Sequence, residues 1–291
     1  MPDRHIARDI TYAHSARTRT GQTVIRLLEN ATGRRRLIKR AQGYAQDMAG
    51  GRDFWSVMIA RYGLSLSITC GSLDNIPRTG PLILIANHPY GILDGLMMGH
   101  ILSQIRDDFR ILANSVFSQA SDLDHALLPI SFDATRAGLA QNLATRQETL
   151  AVLRRGGAIG VFPGGTVSTG AKPFSRPMDP GWRSFTARLV AKSDATVVPL
   201  YFDGQNSRLF QIASHLHPTL RLGLLISEFR ARVDSPVRMA VGQPIRRDIL
   251  DPMARDSRQI MEFLRKATYE LSPTPLDPYE LGYEFEARRR A

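Results

Sequence analysis

"LILIANHPYGILDG", residues 82–95, sets an unbroken apolar run directly against Asn87, His88, Pro89 and Gly91, with Asp94 six residues after the histidine. The run reads as a buried strand. Pro89 cannot continue a strand ladder and fixes its own φ, while Gly91 permits a sharp turn. A helix then begins near Ile92, with Asp94 in its first turn. On one straight helix a six-residue separation rotates two side chains apart by about 600°. His88 and Asp94 can therefore meet only if His88 lies outside the helix. In that arrangement the carboxylate accepts the imidazole N–H, holds one tautomer and raises the basicity of the other nitrogen. The site would lie past the carboxyl end of a strand, where open α/β sheets place their ligands. The plainer alternative is an ordinary turn histidine.

The same alternation runs along the rest of the chain. Residues 65–70 alternate at period two, and apolar runs at 109–113, 158–162, 196–202, 224–229 and 237–242 read as further strands. Helix-like stretches at 92–104, 139–155, 181–192 and 255–271 separate or follow them. Strands alternating with helices predict an α/β domain with a largely parallel sheet. Ahead of it, residues 22–31 and a region around Phe54, Trp55, Met58, Ile59 and Tyr62 carry helical apolar faces. Between them Leu37, Ile38, Ala41, Tyr44, Ala45 and Met48 form one stripe, predicting a single helix over 34–48 ended by Gly50 and Gly51. The expected organisation is a basic helical region at 1–63, the α/β domain at 64–250, and a helix and tail of the same domain at 251–291.

With 291 residues, 43% of them hydrophobic, the chain can bury a substantial core. Its one cysteine, Cys70, excludes an internal disulfide and a cysteine metal cluster, and fits a reducing compartment. The opening residues, MPDRHIARDITYAHSARTRTG, lack the apolar core of a secretory signal, and no stretch reaches the roughly 18 apolar residues of a spanning helix. Charge is unevenly placed. Of the net +11, residues 1–62 contribute +7, with 12 Arg or Lys against 5 Asp or Glu; the remainder holds 26 against 22. A local basic segment favours a polyanionic surface, either nucleic acid or an anionic membrane leaflet. Packing alone would equally require the apolar stripes, and base composition would equally explain 34 Arg beside 4 Lys.

A second candidate for chemistry is "GVFPGGTVSTG", residues 160–170. Its small residues let backbone N–H groups approach an anion or a carbonyl oxygen. It lacks the lysine of a nucleotide P-loop, and neither GxGxxG nor GxSxG occurs in the chain. His215 and His217 have the spacing of two metal ligands without a third, and suit surface positions. Gln205, Asn206 and Ser207 could line a pocket or form a polar turn; Trp182 and Phe185 could line an acyl channel but suit a core.

Taken in order, the His-turn-Asp segment, the Pro129-Ile-Ser-Phe segment running to Arg136, the Phe162-Pro-Gly-Gly-Thr-Val-Ser segment and Val197-Val-Pro-Leu-Tyr-Phe resemble the four blocks of the glycerolipid (lysophospholipid) acyltransferase family over about residues 64–245. "NHPYGILDG" and "YFDGQNSRLF" are most similar to the bacterial branch labelled hemolysins, which includes O-acyltransferases of ornithine lipid and other aminolipids. The resemblance implies a mixed, largely parallel sheet flanked by helices. It also implies transfer of an acyl group from an acyl carrier protein or coenzyme A thioester to a lysolipid hydroxyl. His88 would be the general base and Asp94 its orienting carboxylate, with Asn87, Arg136, Pro163, Gly164, Gly165, Thr166 and Ser168 holding the acceptor or the oxyanion. No metal or other cofactor is implied, nor nucleic acid as a partner; the expected location is peripheral, on the cytoplasmic face of the inner membrane, against its anionic surface.

Three residues depart from the family pattern. Five residues separate His88 from Asp94 where four are usual, and Gly164 and Val167 stand where the third block usually has Glu and Arg. Losing that arginine removes a bidentate phosphate donor, with Arg136 as the candidate substitute. The loss favours an acceptor headgroup bearing a carboxylate or sulfonate over lysophosphatidic acid. The alternatives are a lysophosphatidic acid acyltransferase and a non-enzymatic, hemolysin-like membrane protein.

Overall fold

The computed structural model describes residues 11–16, 18–114, 123, 125–131 and 135–285. In chain order its principal elements are α1 (Arg19–Thr32), α2 (Arg34–Ala41), α3 (Tyr44–Ala49), α4 (Phe54–Arg61), β1 (Ser65–Cys70), β2 (Leu82–Ala86), α5 (Ile92–Ile105), β3 (Phe109–Asn114), β4 (Leu127–Ile130), α6 (Arg136–Arg154), β5 (Ala158–Val161), β6 (Thr169–Gly170), β7 (Pro177–Met178), α7 (Ser184–Ala191), β8 (Thr196–Phe202), α8 (Arg208–Leu216), α9 (Pro218–Arg230), β9 (Pro236–Val241) and α10 (Ser257–Tyr269). Seven strands form one mixed sheet in the order β1-β9-β8-β2-β5-β3-β4, and β6 and β7 form a separate antiparallel pair. Every neighbouring pair in the large sheet is parallel except β8 with β9. This is the expected mixed, largely parallel α/β architecture.

β2 lies between β8 and β5, and all five of its residues are fully buried. A strand covered on both faces has no polar side to alternate with, which is why the sequence shows a continuous run. Burying each Leu or Ile contributes roughly 1.5–3 kcal/mol, so the register of this strand is firmly set. The carboxyl ends of β8, β2 and β5 emerge together, and the amino ends of β1 and β9 reach the same edge of the sheet.

The helices before β1 pack on the domain. Leu37, Ala41, Tyr44, Trp55 and Met58 join one continuous core with residues of β2 and α5, while Ile25 packs with Tyr12, Val167, Phe210 and Leu225. Two expectations are corrected. The stretch 34–48 forms two helices, because Gly43 adopts φ 82° between them and breaks the α-helical path. Residues 224–229 lie inside α9, with Pro218 in its first turn and the His217 ring accepting from the Thr219 N–H. A short apolar run buried on most sides has no periodicity to separate strand from helix.

Candidate active site

The turn after β2 brings the histidine and aspartate together. His88 Nδ1 lies 2.9 Å from Asp94 Oδ2. That contact has the length of a hydrogen bond without its alignment. Gly91 absorbs the extra residue. It is the N-cap of α5 at φ 84°, a conformation that strains residues with a side chain, and a Cβ there would also lie 3.2 Å from Val167. Asp94 Oδ2 then accepts the backbone N–H groups of Tyr90 (2.8 Å) and Gly91 (3.0 Å), so the aspartate caps its own helix.

The two side chains differ in access. The Asp94 side chain is fully buried, whereas that of His88 keeps 19% of its surface open, with Nε2 on the far side of the ring from Asp94. Burial raises the Asp94 pKa above the ordinary carboxylate value, and the neighbouring His88 acts in the opposite direction. The His88 ring stacks on Phe162, with centroids 4.4 Å apart, so the residue following β5 fixes the plane of the imidazole. A carboxylate held behind a partly open imidazole can stabilise the imidazolium that forms when Nε2 accepts a hydroxyl proton.

The glycine-rich segment 162–170 closes over the histidine backbone. Ser168 N–H donates to the His88 carbonyl (2.8 Å), and Ser168 Oγ donates to Asp179 Oδ1 (2.5 Å). Pro163 and Gly164 are buried; Gly165 and Thr166 are half-buried. Asn87 is engaged in the frame: its Nδ2 donates to the Phe202 carbonyl and its Oδ1 accepts the Phe202 N–H, extending the β2–β8 pairing by one residue. Arg136 is not brought to these residues. It opens α6 after the edge strand β4, exposed, and β4 is three strands from β2 in the sheet. Phe132, in the same sequence block, falls outside the described residues, as does the Arg288–Arg290 tail.

Two residues at the site lay outside the sequence reading. Asp179, fully buried after β7, accepts from the His88 N–H (3.1 Å), from Ser168 Oγ and from Trp182 Nε1 (2.9 Å). Arg221, buried in α9, donates through Nη1 to Thr169 and Ser214 and through Nη2 to Thr166 and the Val167 carbonyl. The cation absent from position 167 thus has a counterpart nearby, turned inward and without a carboxylate partner among the described residues. Burial lowers its pKa to about 9, so it remains charged at neutral pH. The missing Glu and Arg of the third block were the available signal that charge had to arrive from elsewhere.

Beside Pro89 and Ser168 opens a cleft of about 160 Å³, also bordered by Asn87, Tyr201, Asp203 and Gln205, with Arg176 the one cation on its wall among the described residues. Gln205 thus borders it, whereas Asn206 is buried, Trp182 belongs to the core, and Ser207 caps α8.

A partly open histidine against a buried carboxylate, at the carboxyl edge of a mixed α/β sheet, defines the class: a candidate acyl- or proton-transfer site carried on an α/β domain. Residues 67–203 match the family model described as Acyltransferase, the family to which the four sequence blocks point. Two curated relatives, the lyso-glycine lipid O-acyltransferases of Phocaeicola vulgatus and Bacteroides thetaiotaomicron, are 26% and 24% identical over 148 residues. Those segments cover 50% of this chain and 50% and 52% of the relatives, so the chain spans about half the length of the curated relatives it matches. Among solved structures, the 1-acyl-sn-glycerophosphate (LPA) acyltransferase PlsC from Thermotoga maritima overlaps loosely. It is 15% identical at a TM-score of 0.43, over 90% of this chain and 87% of that one.

Proposed function

We propose that this protein transfers an acyl group from a thioester, on acyl carrier protein or coenzyme A, to the hydroxyl of a lyso-aminolipid. The observation that carries the reading is the 2.9 Å His88–Asp94 contact within the segment that matches the Acyltransferase family. His88 Nε2 takes the acceptor's hydroxyl proton as its oxygen attacks the thioester carbonyl; Asp94 stabilises the imidazolium, and the proton passes to the departing thiolate. General-base assistance of this kind is worth about 10²- to 10⁴-fold in rate.

The acceptor class is supported by three features: the loss of arginine at Val167, the inward turn of Arg221, and Arg176 as the only cation on the cleft wall among the described residues. A planar guanidinium suits a headgroup carboxylate. The cleft is smaller than the 300–1,000 Å³ of ordinary ligand pockets, which fits a site that receives a headgroup while the chains stay in lipid. Docking on an anionic membrane surface is supported by a groove of about 770 Å³ walled by Arg36, Lys39 and Arg230, with Arg40 paired to Asp234 on the same wall. It lies at the amino end of β9, the sheet edge that also carries His88. Among the described residues no helix is long and apolar enough to cross a membrane.

The test is lipid mass spectrometry of a strain lacking this protein. Monoacylated aminolipid should accumulate, and wild-type protein but not His88→Ala should clear it. An unchanged aminolipid profile contradicts the acceptor assignment.

A further inference from the structure

We propose that Asp179 is a positioning residue for His88, supplying from the end of β7 the carboxylate that the glycine-rich segment lacks at Gly164. The two positions share one space. A Cβ built on Gly164 would lie 3.1 Å from Asp179 Cβ and Cγ and 3.2 Å from its Oδ2. The room where a residue-164 side chain would begin is therefore filled by Asp179.

The contacts of that carboxylate point at the catalytic turn. Oδ1 accepts the His88 N–H at 3.1 Å and the Ser168 hydroxyl at 2.5 Å, and Oδ2 accepts the Trp182 indole N–H at 2.9 Å. Its main chain is anchored as well: its N–H donates to the Tyr269 hydroxyl at 2.8 Å, and its carbonyl accepts from Gly282 N–H and Arg265 Nη2. With the His88 carbonyl held by Ser168 N–H, both sides of the histidine backbone are fixed from outside its own turn. Asp94 and Phe162 orient the ring; Asp179 and Ser168 place the residue that carries it. No contact links Asp179 to the imidazole, so its effect passes through the His88 main chain. Displacing a catalytic group by about 1 Å can cost on the order of 10²-fold in rate.

The proposal rests on the acyl-transfer reading for its kinetic readout, so the experiment pairs turnover with the His88 imidazole NMR resonances, which need no substrate. Asp179→Gly, Gly164→Asp and the double variant are compared with wild type. Asp179→Gly should lose roughly 10²-fold in kcat with acceptor KM changed less than about threefold, and should move the His88 resonances. The double variant, which returns a carboxylate to the same space from the other strand end, should recover at least about tenfold in kcat and restore the resonances towards wild type. If Asp179→Gly does not fold, Trp182→Phe, which removes one donor to Oδ2, should still lower kcat and shift the His88 signals. A double variant no better than Asp179→Gly, or His88 signals unmoved in every folded variant, overturns the proposal. If wild type shows no acyl transfer while the resonances respond as stated, the reaction assigned to the site fails and the positioning role stands.

Discussion

The turns at 87–94 and 162–170 leave adjacent strands at one edge of the sheet, yet they are held in opposite ways. In the first, the carboxylate that meets the histidine is local: Asp94 caps the helix that follows the turn, contacts His88, and takes the Tyr90 and Gly91 N–H groups within eight residues, while Asp179 and Ser168 hold the His88 main chain from outside. The second is held by residues far along the chain. Ser168 is tied to Asp179, Gly170 N–H to Gln211, and the 166–169 stretch to Arg221, at separations of 11 to 55 residues. On the proposed reading the chemistry is built on the first turn and its precision on the second. A substitution in the first should therefore strike turnover, and one among the distant supports should strike stability and placement.

The sharpest way to break that contrast is Asp94→Asn. An amide oxygen can still accept from Tyr90 and Gly91, while the charge behind the imidazole is gone. Turnover should drop about 10²- to 10⁴-fold, and the melting temperature should hold, because a buried charge is removed without unpairing the helix N-terminus. A large loss of stability with turnover intact would reverse the roles assigned to the two turns.

Arg221→Met tests the other side. It strips donors from Thr166, Thr169, Ser214 and the Val167 carbonyl, and unpaired buried groups cost about 1–3 kcal/mol each. Thr169 Oγ1 still donates to the Val167 carbonyl, and for the other groups a total on the order of 3 kcal/mol should lower the melting temperature by roughly 6–12 °C, as calorimetry would read. Arg221→Lys should not rescue it, since one ammonium cannot serve both ends of the guanidinium fork. A melting temperature equal to wild type would mean that the segment holds itself.

Arg176→Ala, at the cleft edge, should raise the acceptor KM about tenfold, equivalent to about 1.4 kcal/mol, and leave kcat unchanged. With the headgroup carboxylate amidated, variant and wild type should have equal KM values. Equal KM values on the free carboxylate would remove Arg176 from headgroup recognition. The smallest expected change per residue is at the basic groove, where each cation is worth about 1 kcal/mol at an anionic surface. Replacing both Arg36 and Lys39 with Ala should weaken binding to phosphatidylglycerol vesicles roughly 30-fold and leave turnover on detergent-dispersed acceptor untouched. Binding that ignores both vesicle charge and these residues would separate the groove from the membrane.

What the sequence made legible follows the same division. β2 was readable because a doubly covered strand is written as consecutive apolar residues, and the His88–Asp94 meeting was readable because Pro89, Gly91 and the helix start all lie within eight residues. The break at Gly43 and the helical state of 224–229 were not, since one depends on a single φ and the other on burial that erases periodicity. Asp179 and Arg221 were invisible for a different reason. Neither has a local pattern, and each acquires its role only when β7 and α9 pack against the 162–170 segment. The departures at Gly164 and Val167 marked the vacancies, although nothing in the chain's linear order said which residues would fill them.

The central claim is that His88 is the base that activates the acceptor hydroxyl. It is tested most directly by acyl transfer from a radiolabelled acyl thioester to a lyso-aminolipid, comparing wild type with His88→Ala at matched folded concentration. Wild type should form the diacylated product, and His88→Ala, melting within about 4 °C of it, should be slower by at least about 100-fold. Near-normal turnover in folded His88→Ala would contradict the account.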